Sequence, residues 1–267
     1  MGEFTGKAAF ITGAARGQGR VTALALAREG ADILAFDLGV KIEYPGYACQ
    51  ACAELGTLKK EIEALGARCV VALGDVRDDK AVTSAVEAAM EAFGRIDILF
   101  NNAGICAYAE VDKMTDTEMD AMIDINLKGP MIVARRVAPA MKAQNSGVII
   151  NNSSVMGLRG GRRLSHYAAS KWGLTGLTKS WAIELAPWNI RVVSIHPTGV
   201  NTPMNDGLAA LEGKTPTEIA EASAGNLQPV PWIESEDVAE LVLYLAGDKA
   251  RFVTGAQFVI DAGLLSV

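Results

Sequence analysis

The stretch KAAFITGAARGQGR, residues 7–20, runs from an unbroken apolar segment through a glycine-rich turn into a chain of helix formers. Without apolar/polar alternation, the apolar part reads as a strand buried on both faces. Gly13, Gly17 and Gly19 permit a tight turn and a close backbone approach. The helix that opens next offers free N–H groups at its N terminus, where a pyrophosphate can bind. A glycine run alone says little, but one set after a strand and before a helix predicts a nucleotide cradle. Arg16 and Gln18, inside the loop, are candidate nucleotide contacts.

The same strand-then-helix pattern recurs. KAAFIT (7–12), ADILAFD (31–37), RCVVALGD (68–75), DILFNN (97–102), GVIINN (147–152), IRVVSIHP (190–197) and QFVIDAG (257–263) read as strands. Helical patterns lie between them at about 17–29, 50–65, 78–93, 115–142, 164–186 and 235–247. The alternation predicts a single α/β domain over residues 1–267. Its expected form is a Rossmann fold, a doubly wound parallel sheet of about seven strands with helices on both faces. At 267 residues, half of them hydrophobic and 27 of them glycine, the chain can bury such a sheet. Two segments break the alternation. Residues 39–49, GVKIEYPGYAC, lengthen the link after the second strand. Residues 200–232 carry Pro203, Pro216, Pro229 and Pro231, and so long a stretch beside the carboxyl ends of the strands is a candidate substrate lid.

The net charge of −6 argues against nucleic acid and against an anionic membrane surface as partners. No apolar stretch is long enough to span a membrane, and AAFIT is too short for a signal-peptide core. Gly6 breaks the myristoylation pattern. Four cysteines occur, at 49, 52, 69 and 106. Cys49 and Cys52 form a lone CxxC with no second pair and no histidine nearby, so no metal is expected. Cys69 opens an apolar run as a core thiol. A reduced, cytoplasmic setting fits this usage.

Several acidic and polar positions then acquire roles. Asp37 ends the second strand, where a carboxylate can accept hydrogen bonds from both adenosine ribose hydroxyls and repel a 2′-phosphate; this favours NAD over NADP. Arg16 points weakly the other way. Asp75 is placed either to meet the adenine amino group or to cap the helix beginning near Asp78. Tyr167 and Lys171, in SHYAASK (165–171), lie four apart on a helix and share a face. An ammonium beside a phenol favours phenolate, making the tyrosine useful as an acid or base.

TGAARGQG (12–19), NNAG (101–104), Asn126 in DINLKGP, Ser154 in NNSSVMG, and Tyr167 with Lys171 resemble, in this order, the motifs of the short-chain dehydrogenase/reductase family across essentially the whole chain. The resemblance implies that Tyr167 exchanges a proton with the alcohol or carbonyl oxygen. It implies that Ser154 hydrogen-bonds that oxygen, that Lys171 lowers the tyrosine pKa and holds the nicotinamide ribose, and that Asn126 anchors a water relay. Val76, Asn102, Ala103 and Gly104 would lie beside the nucleotide, and Pro197, Val200 and Thr202 in HPTGVNTPM would contact the nicotinamide amide. Thr198 stands where the family usually has glycine. Within the family the chain is similar to the carveol-dehydrogenase-like, mycofactocin-associated subgroup. That likeness implies oxidation of cyclic secondary alcohols with NAD, in some members so tightly held that another carrier reoxidises it. It also implies a homotetramer with the helices around 115–142 and 164–186 at subunit contacts.

The expected substrate pocket carries Ile105, Cys106, Val155, Met156, Leu158, Met204 and Trp232. It is mainly apolar, which suits a small hydrophobic alcohol or ketone better than a sugar or a phosphorylated acid. LRGGRR (158–163) adds three arginines, read as a solvated or subunit-facing loop. His166 is expected to line the pocket or an interface, not to catalyse. Two rivals differ in chemistry: an NADPH-dependent 3-oxoacyl thioester reductase, which Asp37 opposes, and a non-catalytic dinucleotide sensor. A sensor has no use for Asn126, Ser154, Tyr167 and Lys171 together.

Overall fold

The computed structural model describes residues 2–40, 43–46, 51–223 and 225–266. Seven strands are described: β1 (Ala8–Thr12), β2 (Asp32–Asp37), β3 (Cys69–Leu73), β4 (Ile98–Asn101), β5 (Gly147–Asn152), β6 (Ile190–Pro197) and β7 (Gln257–Ile260). They form one sheet in the order β3-β2-β1-β4-β5-β6-β7, every pair parallel. Between them lie α1 (Gly17–Arg28), α2 (Ala51–Ala64), α3 (Asp79–Phe93), α4 (Asp116–Ile123), α5 (Gly129–Gln144), α6 (Ser165–Leu185), α7 (Pro203–Leu211), α8 (Pro216–Ser223) and α9 (Ser235–Ala246). This is the doubly wound arrangement, and its order reverses between β1 and β4, where the carboxyl ends of the strands open a crevice.

Side chains alternate across the central strands and build a core on each face. Ala9 and Ile11 of β1 join Leu26, Leu55, Ile62 and Val242 on one side. Phe10 joins Phe36, Val82, Val133 and Met141 on the other. Phe10 and Phe36 meet edge-to-face at 5.9 Å, and each fully buried ring stabilises the fold by roughly 2–3 kcal/mol. At the amino ends, the buried Asp97 carboxylate accepts from Ala8 N (2.9 Å) and from Arg95 (2.6 and 2.7 Å), locking β1 to the start of β4. The outer strands depart from the double burial that their composition suggests. β3 and β7 are edge strands, covered on fewer sides, so Leu73 and Val259 reach solvent.

The helical reading changes in one place and gains two helices in another. The pattern at 115–142 divides at a π-helical turn, Asp124–Lys128, between α4 and α5. An extra residue per turn re-aims side chains there, and Asn126 is on that turn. Residues 200–232, read as a break in the alternation, contain α7 and α8. Pro203 and Pro216 open those helices instead of interrupting them. The ends of the excursion are stapled by a bridge between Val200 and Ile233, with Ile233 N donating to Gly199 O (3.0 Å).

Candidate active site

The crevice begins at the glycine loop. Gly13 has φ +67°, and a Cβ there would lie 2.9 Å from the Ala103 Cα. At Gly19 a Cβ would lie 2.1 Å from the Gly13 carbonyl oxygen. The loop therefore sits against β4 and leaves the N terminus of α1 uncovered, and Arg16 makes no side-chain cap there. Asn102 stitches the two together: its Nδ2 donates to Thr12 O (3.0 Å) and Gly13 O (3.1 Å). Thr12 Oγ1 in turn accepts from the Asn102 and Ala103 N–H groups, both at 3.0 Å. Asp37 takes Ala15 N (2.8 Å) on one carboxylate oxygen and Leu38 N (2.7 Å) on the other. Burial raises its pKa, while those N–H bonds and nearby Arg16 oppose the rise. Each oxygen keeps a lone pair for a further donor.

Gly13, Arg16, Gly17, Gln18, Asp37, Asp75, Val76, Asn102, Ala103, Gly104, Tyr167, Lys171, Pro197 and Thr202 all line one cleft. Thr202 faces Gly17 across it, with the Thr202 Cγ2 3.2 Å from where a Gly17 Cβ would be. The glycine cradle, the bare helix N terminus and the Asp37 carboxylate at the far end fit a dinucleotide. Two predicted contacts lie elsewhere. Gly19 is inside α1 behind the loop, and Val200 points into the core beside its bridge partner. Asp75 does not cap α3; Asp78 does, accepting from Lys80 N (2.9 Å). Arg77 instead holds the Asp75 carboxylate at 2.6–3.0 Å, and despite burial its pKa falls.

Deeper in the cleft Ser154 Oγ accepts from Met156 N (3.1 Å), and Ser154 and Tyr167 both line the cleft. Ser153 turns away and donates to Lys171 O (3.0 Å). Lys171 Nζ lies 5.6 Å from the Tyr167 ring centre and donates to Asn152 O (2.8 Å). Burial lowers the Lys171 pKa to about 8. It pushes the Tyr167 phenol upward; the Cys106 thiol adds to that rise and the neighbouring Ser154 hydroxyl opposes it. In the protein alone, then, burial outweighs the lowering expected from Lys171. Asn126 accepts from Ile105 N and donates to Ile105 O, both at 2.8 Å, and reaches Ser170 Oγ at 3.2 Å. It stands behind Gly104, where a Cβ would be 3.2 Å from Asn126 Oδ1 and 3.8 Å from Lys171 Nζ.

Of the expected pocket residues, Ile105 and Met204 reach the cleft wall. Cys106 packs behind them with Tyr108, Leu164, Tyr167 and Leu208. Val155 is buried in the short turn after Ser154. The Met156 sulfur turns under Gly161, Leu158 is half-buried beyond the same turn, and the Trp232 ring lies against Gly199. His166 is buried and meets the Tyr44 hydroxyl at 3.2 Å, which brings part of the lengthened link to the head of the catalytic helix. Cys49, and with it the CxxC pair, lies outside the described residues. Cys69 is a buried free thiol, and no acid, thiol or imidazole cluster among the described residues could hold a metal.

Three contributors went unpredicted. Asn152 Nδ2 donates to Gln18 Oε1 and Asn102 Oδ1, both at 2.9 Å, tying β5 to the glycine loop. His196, fully buried, donates through Nδ1 to Ser154 O (2.8 Å), which leaves Nε2 to accept from Ser194 Oγ (2.9 Å). Burial holds its pKa below the ordinary histidine value. Arg163 pairs with Glu212 of the excursion. Alternation along IRVVSIHP placed Ser194 and His196 on one face, but nothing local to them named Ser154 as the partner.

Residues 7–212 match the family described as short chain dehydrogenase. The chain is 41% identical to a (−)-trans-carveol dehydrogenase of Rhodococcus erythropolis, over 98% of this chain and 99% of that one. It is 38% identical to a 3-oxoacyl-acyl-carrier-protein reductase of Thermotoga maritima, over 97% and 98%. The crystal structure of a carveol dehydrogenase from Mycobacterium avium in complex with NAD superposes with a TM-score of 0.96 at 39% identity, over 100% of both chains. The chain belongs to the short chain dehydrogenase family.

Proposed function

We propose that the chain is an NAD-dependent oxidoreductase that interconverts a hydrophobic, cyclic secondary alcohol and its ketone. The observation that carries this reading is the convergence of Ser154, Tyr167 and the buried Lys171 on one cleft that also holds the glycine cradle and Asp37. Two hydroxyls converge where one substrate oxygen would sit. Ser154 holds that oxygen, and Tyr167 takes its proton during oxidation and returns one during reduction. Bound NAD supplies the hydride acceptor, and the protein supplies position and charge. Lys171 holds the ribose hydroxyls, and its ammonium favours phenolate. Asn126 anchors the route by which the proton leaves. Asp37 would repel a 2′-phosphate, which separates this reading from the NADPH-dependent thioester reductase. The carveol dehydrogenases among the relatives support a cyclic substrate. The apolar side chains of Ile105 and Met204 in the cleft wall, with Cys106 and Leu208 packed together behind them, support an apolar one.

The reading extends to a single domain with residues 200–232 as the substrate lid, a cytoplasmic protein, tightly held NAD and a homotetramer. No helix among the described residues is long and apolar enough to cross a membrane. The test is turnover of a panel of cyclic and linear secondary alcohols with NAD⁺, followed by nicotinamide absorbance with and without an artificial electron acceptor. Cyclic alcohols should turn over, and a halt at one equivalent per subunit until acceptor is added marks held nucleotide. Tyr167→Phe should lower kcat by about 10³-fold or more and leave nucleotide binding unchanged. Activity retained in Tyr167→Phe would rule the mechanism out, and preference for NADPH with thioesters would favour the rival.

A further inference from the structure

Helix α7 reaches over the catalytic helix. Its Met204 and Leu208 pack with Cys106, Leu164 and Tyr167, so the position of α7 sets the shape of the apolar pocket beside the phenol. Its first turn is fixed near the glycine loop, where Thr202 faces Gly17 and Asn205 Nδ2 donates to Val200 O (2.6 Å). Its last turn ends at Glu212, which accepts two hydrogen bonds from Arg163, at 2.6 and 3.0 Å. Among the described residues this is the ion pair that joins α7 to the segment before α6.

Both partners are locally unfavourable. A carboxylate at a helix C terminus has the wrong sign for the helix dipole. Arg163 adopts φ +61°, a conformation that residues with a Cβ avoid. Arg163 O accepts from Ala109 N (2.9 Å), and its guanidinium stacks 5.3 Å from the Tyr108 ring centre. Two residues that contradict their own elements, yet meet in a two-pronged and partly buried contact, mark an arrangement fixed by the tertiary fold.

We infer that Arg163 and Glu212 are positioning residues: their ion pair latches α7 over Tyr167 and thereby sets the affinity for the apolar alcohol. The inference rests on the reading of this cleft as an alcohol dehydrogenase site. Neither residue touches the reacting atoms. With the latch intact the pocket wall is preformed; without it only a fraction of molecules hold α7 closed, and apparent affinity falls by that fraction.

The test uses the full chain and the variants Arg163→Gln, Glu212→Gln and the charge swap Arg163→Glu with Glu212→Arg. Amide hydrogen exchange is read in α7, α6 and α1, and KM and kcat are read with the best cyclic alcohol. Each single variant should speed exchange within 203–211 and leave α1 and α6 protected. It should raise KM about tenfold, with kcat within about twofold and NAD affinity unchanged. The charge swap should recover most of both losses. Wild-type exchange in α7 of the single variants, or faster exchange spread through α1 and α6, overturns the latch. If no alcohol is oxidised by the wild-type protein, the functional reading fails by itself, and the exchange measurement still decides the latch.

Discussion

Lys171 carries its charge where charge is costly. Its side chain is buried, and its pKa falls to about 8 from the ordinary 10.5. The unfolded chain therefore binds a proton that the folded chain releases between about pH 8 and 10.5. Stability rises with pH wherever the unfolded state binds more protons. Lys171 thus opposes folding at pH 7, and this cost fades as pH climbs through that window. Lys171→Met should inactivate the enzyme yet stabilise it at pH 7, by about 2 kcal/mol once the lost bond to Asn152 O is set against the relief. Paired urea melts of both proteins from pH 7 to 10.5 should show the gap closing upward, and a constant or widening gap refutes it. The spacing of Tyr167 and Lys171 was legible because it is a property of one helix. Asn152 and His196 were not, because their partners lie up to 134 residues away and only the packed sheet brings them together.

Elements differ in how much of their conformation the local sequence dictates. The glycine loop is dictated almost completely, and two substitutions separate its steric demand from ordinary helix propensity. Gly19→Ala places a Cβ against the Gly13 carbonyl and the Asn102 amide, backbone and side chain that already hold each other. It should cost roughly 1–3 kcal/mol and abolish nucleotide binding. Gly56→Ala in α2 meets nothing within 4 Å and should add about 0.5–1 kcal/mol. Urea melts with nucleotide titration check both, and nucleotide binding by Gly19→Ala at wild-type affinity would refute the cradle. Strands were legible for a similar reason: GVIINN and IRVVSIHP match β5 and β6 residue for residue. The π-helical turn was not, since DINLK reads as ordinary helix and only the packing around Asn126 demands the extra residue. α8 carried an overlooked signal. Thr215 and Glu218 bond each other's N–H groups as a capping box around Pro216, so TPTE announces a helix start inside the stretch read only as a candidate lid.

At the scale of the whole molecule the apolar surface is uneven. Trp172 and Ile183 on α6 are 51% and 79% exposed, with Met119 and Met131 exposed on α4 and α5. A second exposed group, Phe252 at 88% with Tyr244 and Val259, borders α9 and the edge strand β7. Isolated apolar side chains need no explanation, but groups of them at two separate faces suit two kinds of subunit contact. Two independent twofold contacts generate a tetramer, and breaking either one leaves a dimer. Sedimentation should therefore give about four times the 28.1 kDa chain mass for the wild type. Trp172→Glu should leave dimers joined through the β7 face, and Phe252→Glu dimers joined through the α5 and α6 face. Together the two changes should leave folded monomers, because both side chains lie outside the core that holds each chain. A wild-type monomer would overturn the assembly, and a tetramer that survives both substitutions would place its contacts on other faces.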